Sequence, residues 1–143
     1  MSGQDQLNKK KGMKKIALVL SLCLVFVALS CKKNVEGEIK VVSPEEMQTL
    51  LTLDNVQFID VRTPAEYNSG YIASAQNIDF MSPTFDDDIK TLDREKPVLL
   101  YCQKGGRSAK CAEKMIDLGF KKIYDMEGGF SKWKHNGLPY KKN

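Results

Sequence analysis

The pattern of apolar and polar positions divides the chain into two unlike parts. From Ile16 to Leu29 the residues are apolar apart from Ser21, a stretch of 14 residues. That is shorter than the roughly 18–20 residues a membrane-spanning helix needs. Beyond Lys33 the pattern changes to short apolar groups separated by turn residues. Ile39–Val42 reads as a short strand. Ser43-Pro44-Glu45-Glu46 predicts a helix start, with a serine cap, proline at the first helical position and glutamate three residues after the cap. Met47, Leu50 and Leu51 supply its apolar face. Val56–Val61 predicts a buried strand, and Thr63-Pro64-Ala65-Glu66 a second capping box whose helix stops near Gly70. Ala75–Ile78 reads as a brief strand. Thr84 is expected to cap a helix with Asp86, Asp87 and Asp88 in its first turn, where the helix dipole favours acids. Phe85, Ile89 and Leu92 share one face of it. Pro97–Tyr101 is the clearest strand, and a helix follows from Gly106 to Leu118, ended by Gly119. Lys122–Tyr124 is the last strand, and Gly128-Gly129 opens a final helix through Trp133. Short strands alternating with helices predict an α/β fold, a mainly parallel central sheet with helices on both faces. In such sheets ligands bind at the carboxyl ends of the strands.

The first 30 residues change the reading of charge. Lys9, Lys10, Lys11, Lys14 and Lys15 precede the apolar run, and Ser30-Cys31 follows it, the plan of a secretory signal. Residues 1–30 are therefore expected to be a signal peptide, and residues 31–38 a polar tether. The full chain of 143 residues has 22 basic and 18 acidic residues, net +4. Five of those lysines and one aspartate fall in residues 1–30, which leaves 17 of each sign beyond them. The basic balance belongs to the signal and makes no case for a nucleic-acid partner. The remaining 113 residues fit one small domain with one core.

The segment that carries chemistry is Val98-Leu99-Leu100-Tyr101-Cys102-Gln103-Lys104-Gly105-Gly106-Arg107-Ser108. An apolar strand ends on a cysteine, two glycines and an arginine follow, and a helix begins. Backbone N–H groups and a helix N-terminus turned toward Cys102 favour negative charge there. They should bring the thiol below the free-cysteine pKa of about 8.5. Cys102 is thus a candidate nucleophile; a buried, inert cysteine closing a strand is the structural alternative.

Two resemblances follow from these residues. Ala28-Leu29-Ser30-Cys31 resembles the lipobox of bacterial lipoproteins, although the usual leucine three positions before the cysteine is alanine here. It implies lipidation of Cys31 and a membrane-anchored, extracytoplasmic location in the cell envelope, such as the periplasm. An uncleaved N-terminal anchor is the alternative. Met13-Lys14-Lys15 resembles a lipoprotein start, which would make residues 1–12 an upstream extension. Residues 39–140 resemble a single-domain rhodanese, the sulfurtransferase family. The matching segments run in family order: Asp60-Val61-Arg62 with Glu66-Tyr67, Gly70-Tyr71-Ile72 through Ala75-Gln76-Asn77-Ile78, the Cys102–Ser108 loop, Gly119-Phe120, Glu127-Gly128-Gly129-Phe130 with Trp133, and Gly137-Leu138-Pro139. The chain departs from the family at Tyr71, at Ser74 and at Gln103, where histidine, glycine and arginine are common.

The resemblance implies that Cys102 takes sulfane sulfur from a donor such as thiosulfate or polysulfide. A thiol or cyanide acceptor then removes it from a Cys102 persulfide, with no cofactor and no metal. The backbone of Gln103, Lys104, Gly105, Gly106 and Arg107 would cradle the anion, and the two glycines would permit the tight path. Arg107 would orient the donor or brace the loop, and Asp60, Arg62 and Ser108 would support it, with Glu66 mainly a helix cap. A non-catalytic persulfide-binding or redox-sensing module is the alternative of another class. A phosphatase is the rival chemistry on a related fold, but its loops place five residues between cysteine and arginine. Here there are four, a smaller ring suited to sulfur. Cys111 is expected to pack in the core, although a resolving role toward Cys102 stays open. His135 is read as a surface residue and Asp86–Asp88 as a solvated helix start rather than a calcium site.

Overall fold

The computed structural model describes residues 37–142. The expected signal peptide, the expected lipidation site Cys31 and most of the expected tether lie outside the described residues. Five strands form one sheet: β1 (Glu38–Val42), β2 (Gln57–Asp60), β3 (Gln76–Asn77), β4 (Val98–Tyr101) and β5 (Lys122–Met126). Their order is β1-β5-β4-β2-β3, and every pairing is parallel. Five helices accompany them: α1 (Pro44–Leu50), α2 (Pro64–Asn68), α3 (Phe85–Asp88), α4 (Gly106–Asp117) and α5 (Gly129–His135). The architecture is the mainly parallel α/β sheet that the sequence predicts.

Side-chain alternation along the strands sorts the core into two layers. Ile59, Leu100 and Ile123 face α3 and α4, meeting Phe85, Cys111, Ala112 and Met115. Phe58, Leu99, Tyr101 and Met126 face the opposite side, meeting Met47 of α1 and Phe130 and Trp133 of α5. β4 lies in the centre of the sheet and is buried along its whole length, as its unbroken apolar run requires.

Both capping boxes form: Glu46 N–H donates to Ser43 Oγ and Ser43 N–H to Glu46, and Thr63 and Glu66 repeat the exchange. Three expectations need correction. Thr84 has helical backbone angles and makes no side-chain cap; its hydroxyl donates instead to Asp88, four residues on. The helix it precedes is one turn of α-helix that tightens into a 3₁₀ turn at Ile89–Thr91. Glu38 belongs to β1 rather than to a tether, its N–H bonded to Lys121 O at 3.0 Å. The last strand runs two residues past Tyr124, so Asp125 and Met126 lie inside the sheet. The three acids of α3 have basic or hydroxyl partners: Asp86 pairs with Lys114, Asp87 with Lys90 and Asp88 with Thr84.

Register places the ends of the central strands together. Asp60 of β2 pairs with Tyr101 of β4, and Val61 N–H continues the ladder to Tyr101 O. Val61 and Cys102 therefore leave the sheet side by side at its carboxyl edge, with Arg62 the next residue on.

Candidate active site

Cys102 is the first residue after the most buried strand, and only 1% of it is exposed. The chain turns at Gly105, whose φ of +103° lies in the region that side chains disfavour. This turn returns the Gly105 N–H to Cys102 Sγ at 3.0 Å. Burial opposes ionisation of the thiol. The N–H and hydroxyl of Ser108 and the N–H groups of Lys104 and Gly105 outweigh it and hold the Cys102 pKa below its ordinary value. α4 begins at Gly106, so its N-terminal dipole adds to these donors. Gly106 differs from the expectation: a Cβ there would meet nothing within 4 Å, so the backbone path does not demand glycine.

The loop is held from behind by α5. Phe130 N–H donates to Cys102 O at 2.8 Å and Ser131 N–H to Gln103 O at 3.0 Å. The free donors of one helix end are thus satisfied by carbonyls of the loop. Gly129 makes the approach possible: it has φ +56°, and a Cβ would collide with Cys102 O and the backbone of Gln103 and Lys104.

Beneath the loop lies a buried arginine. Arg62 is 1% and Asp60 0% exposed. The guanidinium donates to both Asp60 oxygens, to Gly70 O at 2.7 Å and to Gln103 Oε1 at 3.2 Å. It also lies 4.1 Å from the centre of the Phe130 ring. The Gln103 amide donates in turn to Ser131 Oγ at 3.0 Å. Gln103 is therefore tied at both ends of its amide, linking β2, the loop and α5. Asn77 of β3 donates to the carbonyls of Asp60 and Arg62, fixing the strand end that carries the arginine.

Cys102 opens onto a cleft of about 490 Å³. Lys104, Lys110, Arg107 and Glu66 bring charge to it, Phe80 and Met81 an apolar wall. Arg107 donates through both terminal nitrogens to Glu66, 2.7 Å at each. Glu66 does more than cap α2, since this pair joins that helix to the start of α4. The Arg107 guanidinium and the cap hydrogen bonds hold the Glu66 carboxyl down at about 2.

Sequence reasoning did not single out Asp125. It lies behind the loop on the face of β5 that also carries Ile123, only 5% exposed, and its Oδ1 has no hydrogen-bond partner. Its neighbours include Ser108 and Cys111. Cys111 is fully buried and, like Cys102, a free thiol. Burial pushes its pKa up to about 12. The strand alternation Ile123–Asp125 was the available signal. His135 is exposed at the end of α5, away from the residues that line the cleft.

This arrangement, a buried sulfur ringed by backbone donors at the carboxyl edge of a parallel sheet, has counterparts among known proteins. Residues 43–136 match the family model described as a rhodanese-like domain. The chain belongs to the rhodanese-like family, as a single domain with sulfurtransferase relatives. It is 33% identical over 101 residues to thiosulfate sulfurtransferase 16 of Arabidopsis thaliana, covering 64% of this chain and 84% of the relative. A rhodanese-related protein from Thermoplasma volcanium has a solved structure that superposes with a TM-score of 0.64 at 29% identity, covering 73% and 99%. The polysulfide-sulfur transferase homodimer of Wolinella succinogenes gives 0.63 at 29% identity, covering 78% and 84%.

Proposed function

We propose that the protein is a sulfurtransferase in which Cys102 carries sulfur as a persulfide. The observation that bears most weight is the Gly105 N–H at 3.0 Å from Cys102 Sγ, at the base of a cationic cleft. The thiolate attacks the outer sulfur of thiosulfate, an S–S bond forms, and the bond to the sulfonate sulfur breaks. Sulfite leaves with the bonding pair, and Cys102 becomes an anionic persulfide. Cyanide or a thiolate then attacks the terminal sulfur, leaving as thiocyanate or a new persulfide and restoring the Cys102 thiolate. The loop donors serve the anion in both halves of the cycle. Lys104 and Lys110 attract anionic donors to the cleft. Its volume, in the range that takes drug-sized ligands, leaves room for an organic thiol acceptor. Polysulfide is a second donor consistent with the Wolinella relative's name.

Thiosulfate:cyanide turnover by the wild type and its loss in Cys102→Ala is the expected result. A mass gain of one sulfur on Cys102 without turnover would instead support the sulfur-binding or sensing alternative. The proposal extends to location: Cys31 is lipidated and holds the domain at the outer side of a membrane. Radiolabelled palmitate should label the wild type and not Cys31→Ala.

A further inference from the structure

Gln103 directly follows Cys102 in the chain, yet its side chain is committed to two residues from other elements. Arg62 Nη1 donates to Gln103 Oε1 at 3.2 Å, and Gln103 Nε2 donates to Ser131 Oγ at 3.0 Å. A guanidinium can only donate, so the amide oxygen has to face Arg62 and the amide nitrogen Ser131. Arg62 has little freedom to adjust: it is 1% exposed and is held by Asp60, by Gly70 O and by the Phe130 ring. A lysine or arginine at position 103 would offer Arg62 no acceptor and would meet it as a like charge.

Ser131 holds Gln103 a second time. Its N–H donates to Gln103 O at 3.0 Å, while Phe130 N–H holds Cys102 O. Both carbonyls therefore point to the start of α5. In a planar trans peptide the N–H points opposite to the C=O, so the N–H groups of Gln103 and Lys104 turn away from α5. The next N–H along, that of Gly105, reaches Cys102 Sγ at 3.0 Å. Residue 103 is thus bonded to the segment after β2 through Arg62 and to α5 through Ser131. A shift of its peptide carries the following N–H groups with it. Those of Lys104 and Gly105 are among the donors that lower the thiol.

We propose that the Gln103 side chain is a positioning latch. By bridging Arg62 and Ser131 it fixes the loop peptides whose N–H groups stabilise the Cys102 thiolate. Hydrogen bonds weaken steeply as their angle closes, so a loop released from the latch holds the anion less well. Opening the latch also leaves Arg62 Nη1 without this acceptor in a buried setting.

The inference rests on Cys102 being the reactive thiol and not on sulfur turnover. Its test is alkylation of the full chain by iodoacetamide across a pH series, read on the Cys102 peptide by mass spectrometry. The reagent carries no charge, so its rate follows ionisation of the thiol rather than capture of an anion. Gln103→Met keeps the length of the side chain and loses both amide bonds. Its alkylation midpoint should lie above that of the wild type by on the order of one pH unit, the scale of one N–H donor to an anion. Ser131→Ala removes the hydroxyl alone and should move the midpoint the same way by less. It carries the test if Gln103→Met does not fold. The double variant should match Gln103→Met, because both changes break the same amide–hydroxyl bond. A merely structural loss would lower the urea midpoint and leave the alkylation midpoint in place. The proposal is overturned by an alkylation midpoint that stays at the wild-type value in either single variant, or by shifts that add in the double. A wild-type thiol no more acidic than free cysteine overturns it as well. Shifted midpoints without thiosulfate turnover by the wild type would count against the transferase reading alone.

Discussion

Arg107 and Glu66 meet in a two-pronged ion pair at the cleft, each prong 2.7 Å, although 41 positions separate them in the chain. The same carboxyl caps α2, so one side chain anchors both the helix after β2 and the loop after β4. The pair engages one N–H of each terminal nitrogen, so Arg107 braces the loop and contributes its charge to the cleft.

This pair predicts a pH signature. The Glu66 pKa falls on folding from 4.5 to about 2, so its stabilisation is full above the unfolded value. It is lost as pH drops from about 4.5 to about 2. Glu66→Gln should lower the thermal midpoint at neutral pH by an amount corresponding to about 1 kcal/mol, the scale of a partly exposed pair. The gap between wild type and variant should close as the melts are repeated across that acid window. A gap that stays constant to pH 2 would show that the charge on Glu66 contributes nothing to stability.

The two thiols of the domain should respond oppositely to an electrophile. Cys102 has a lowered pKa and opens onto the cleft, whereas Cys111 is raised to about 12 and has no exposed surface. Iodoacetamide at neutral pH should therefore modify the Cys102 peptide and leave the Cys111 peptide unmodified until the protein is denatured. Equal labelling in the native state would contradict the donor arrangement around Cys102.

Arg62 should be among the most damaging positions to truncate. Arg62→Met strands the Asp60 carboxylate without its cation in a fully buried setting. A loss of about 3–5 kcal/mol is expected, read as a lower urea midpoint. Adding Asp60→Asn to Arg62→Met should recover part of it, since the stranded charge rather than the missing contact dominates the loss. If the double variant is no more stable than the single one, the cost lies in the contacts to Gly70, Gln103 and Phe130 instead.

What the sequence made legible follows the range of each interaction. The capping boxes at Ser43 and Thr63 were readable because partner and cap lie three residues apart. The Cys102 loop was readable because strand, glycine turn and helix start are consecutive. Glu66 concealed its second role, since a local cap accounts for a glutamate there and Arg107 comes from a distant element. Gln103 showed only as part of the backbone cradle and a departure from arginine, because its amide partners, Arg62 and Ser131, come from two other elements. Asp125 fell outside the expected strand because aspartate is a poor strand former. Parallel pairing with β1 and β4 holds it in the sheet regardless. Thr84 shows the reverse error, a residue of the right type for a cap in a backbone already turned helical.

Glycines of the site should separate into one that the backbone requires and one that it does not. Gly129 combines φ +56° with a position where a Cβ would collide with the Cys102–Lys104 backbone. Gly129→Ala must push α5 away from the loop, lengthening the bonds from Phe130 and Ser131 to Cys102 and Gln103. Strain of this kind costs of order 1–3 kcal/mol from the dihedral alone, and the backbone collision adds to it. Gly106 has helical geometry and open space around its missing Cβ. Gly106→Ala should be neutral or stabilising by up to about 1 kcal/mol, since alanine restricts the unfolded chain and favours the helix. The methyl would stand at the cleft, of which Gly106 is part. Urea unfolding of the two variants gives the stability difference, and Cys102 alkylation reports on the loop. Gly129→Ala should be less stable and react more slowly, because the displaced loop no longer aims its N–H groups at sulfur. Gly106→Ala should keep the wild-type rate. The opposite order would mean that α5 does not hold the loop and that the glycine at the helix start sets its shape.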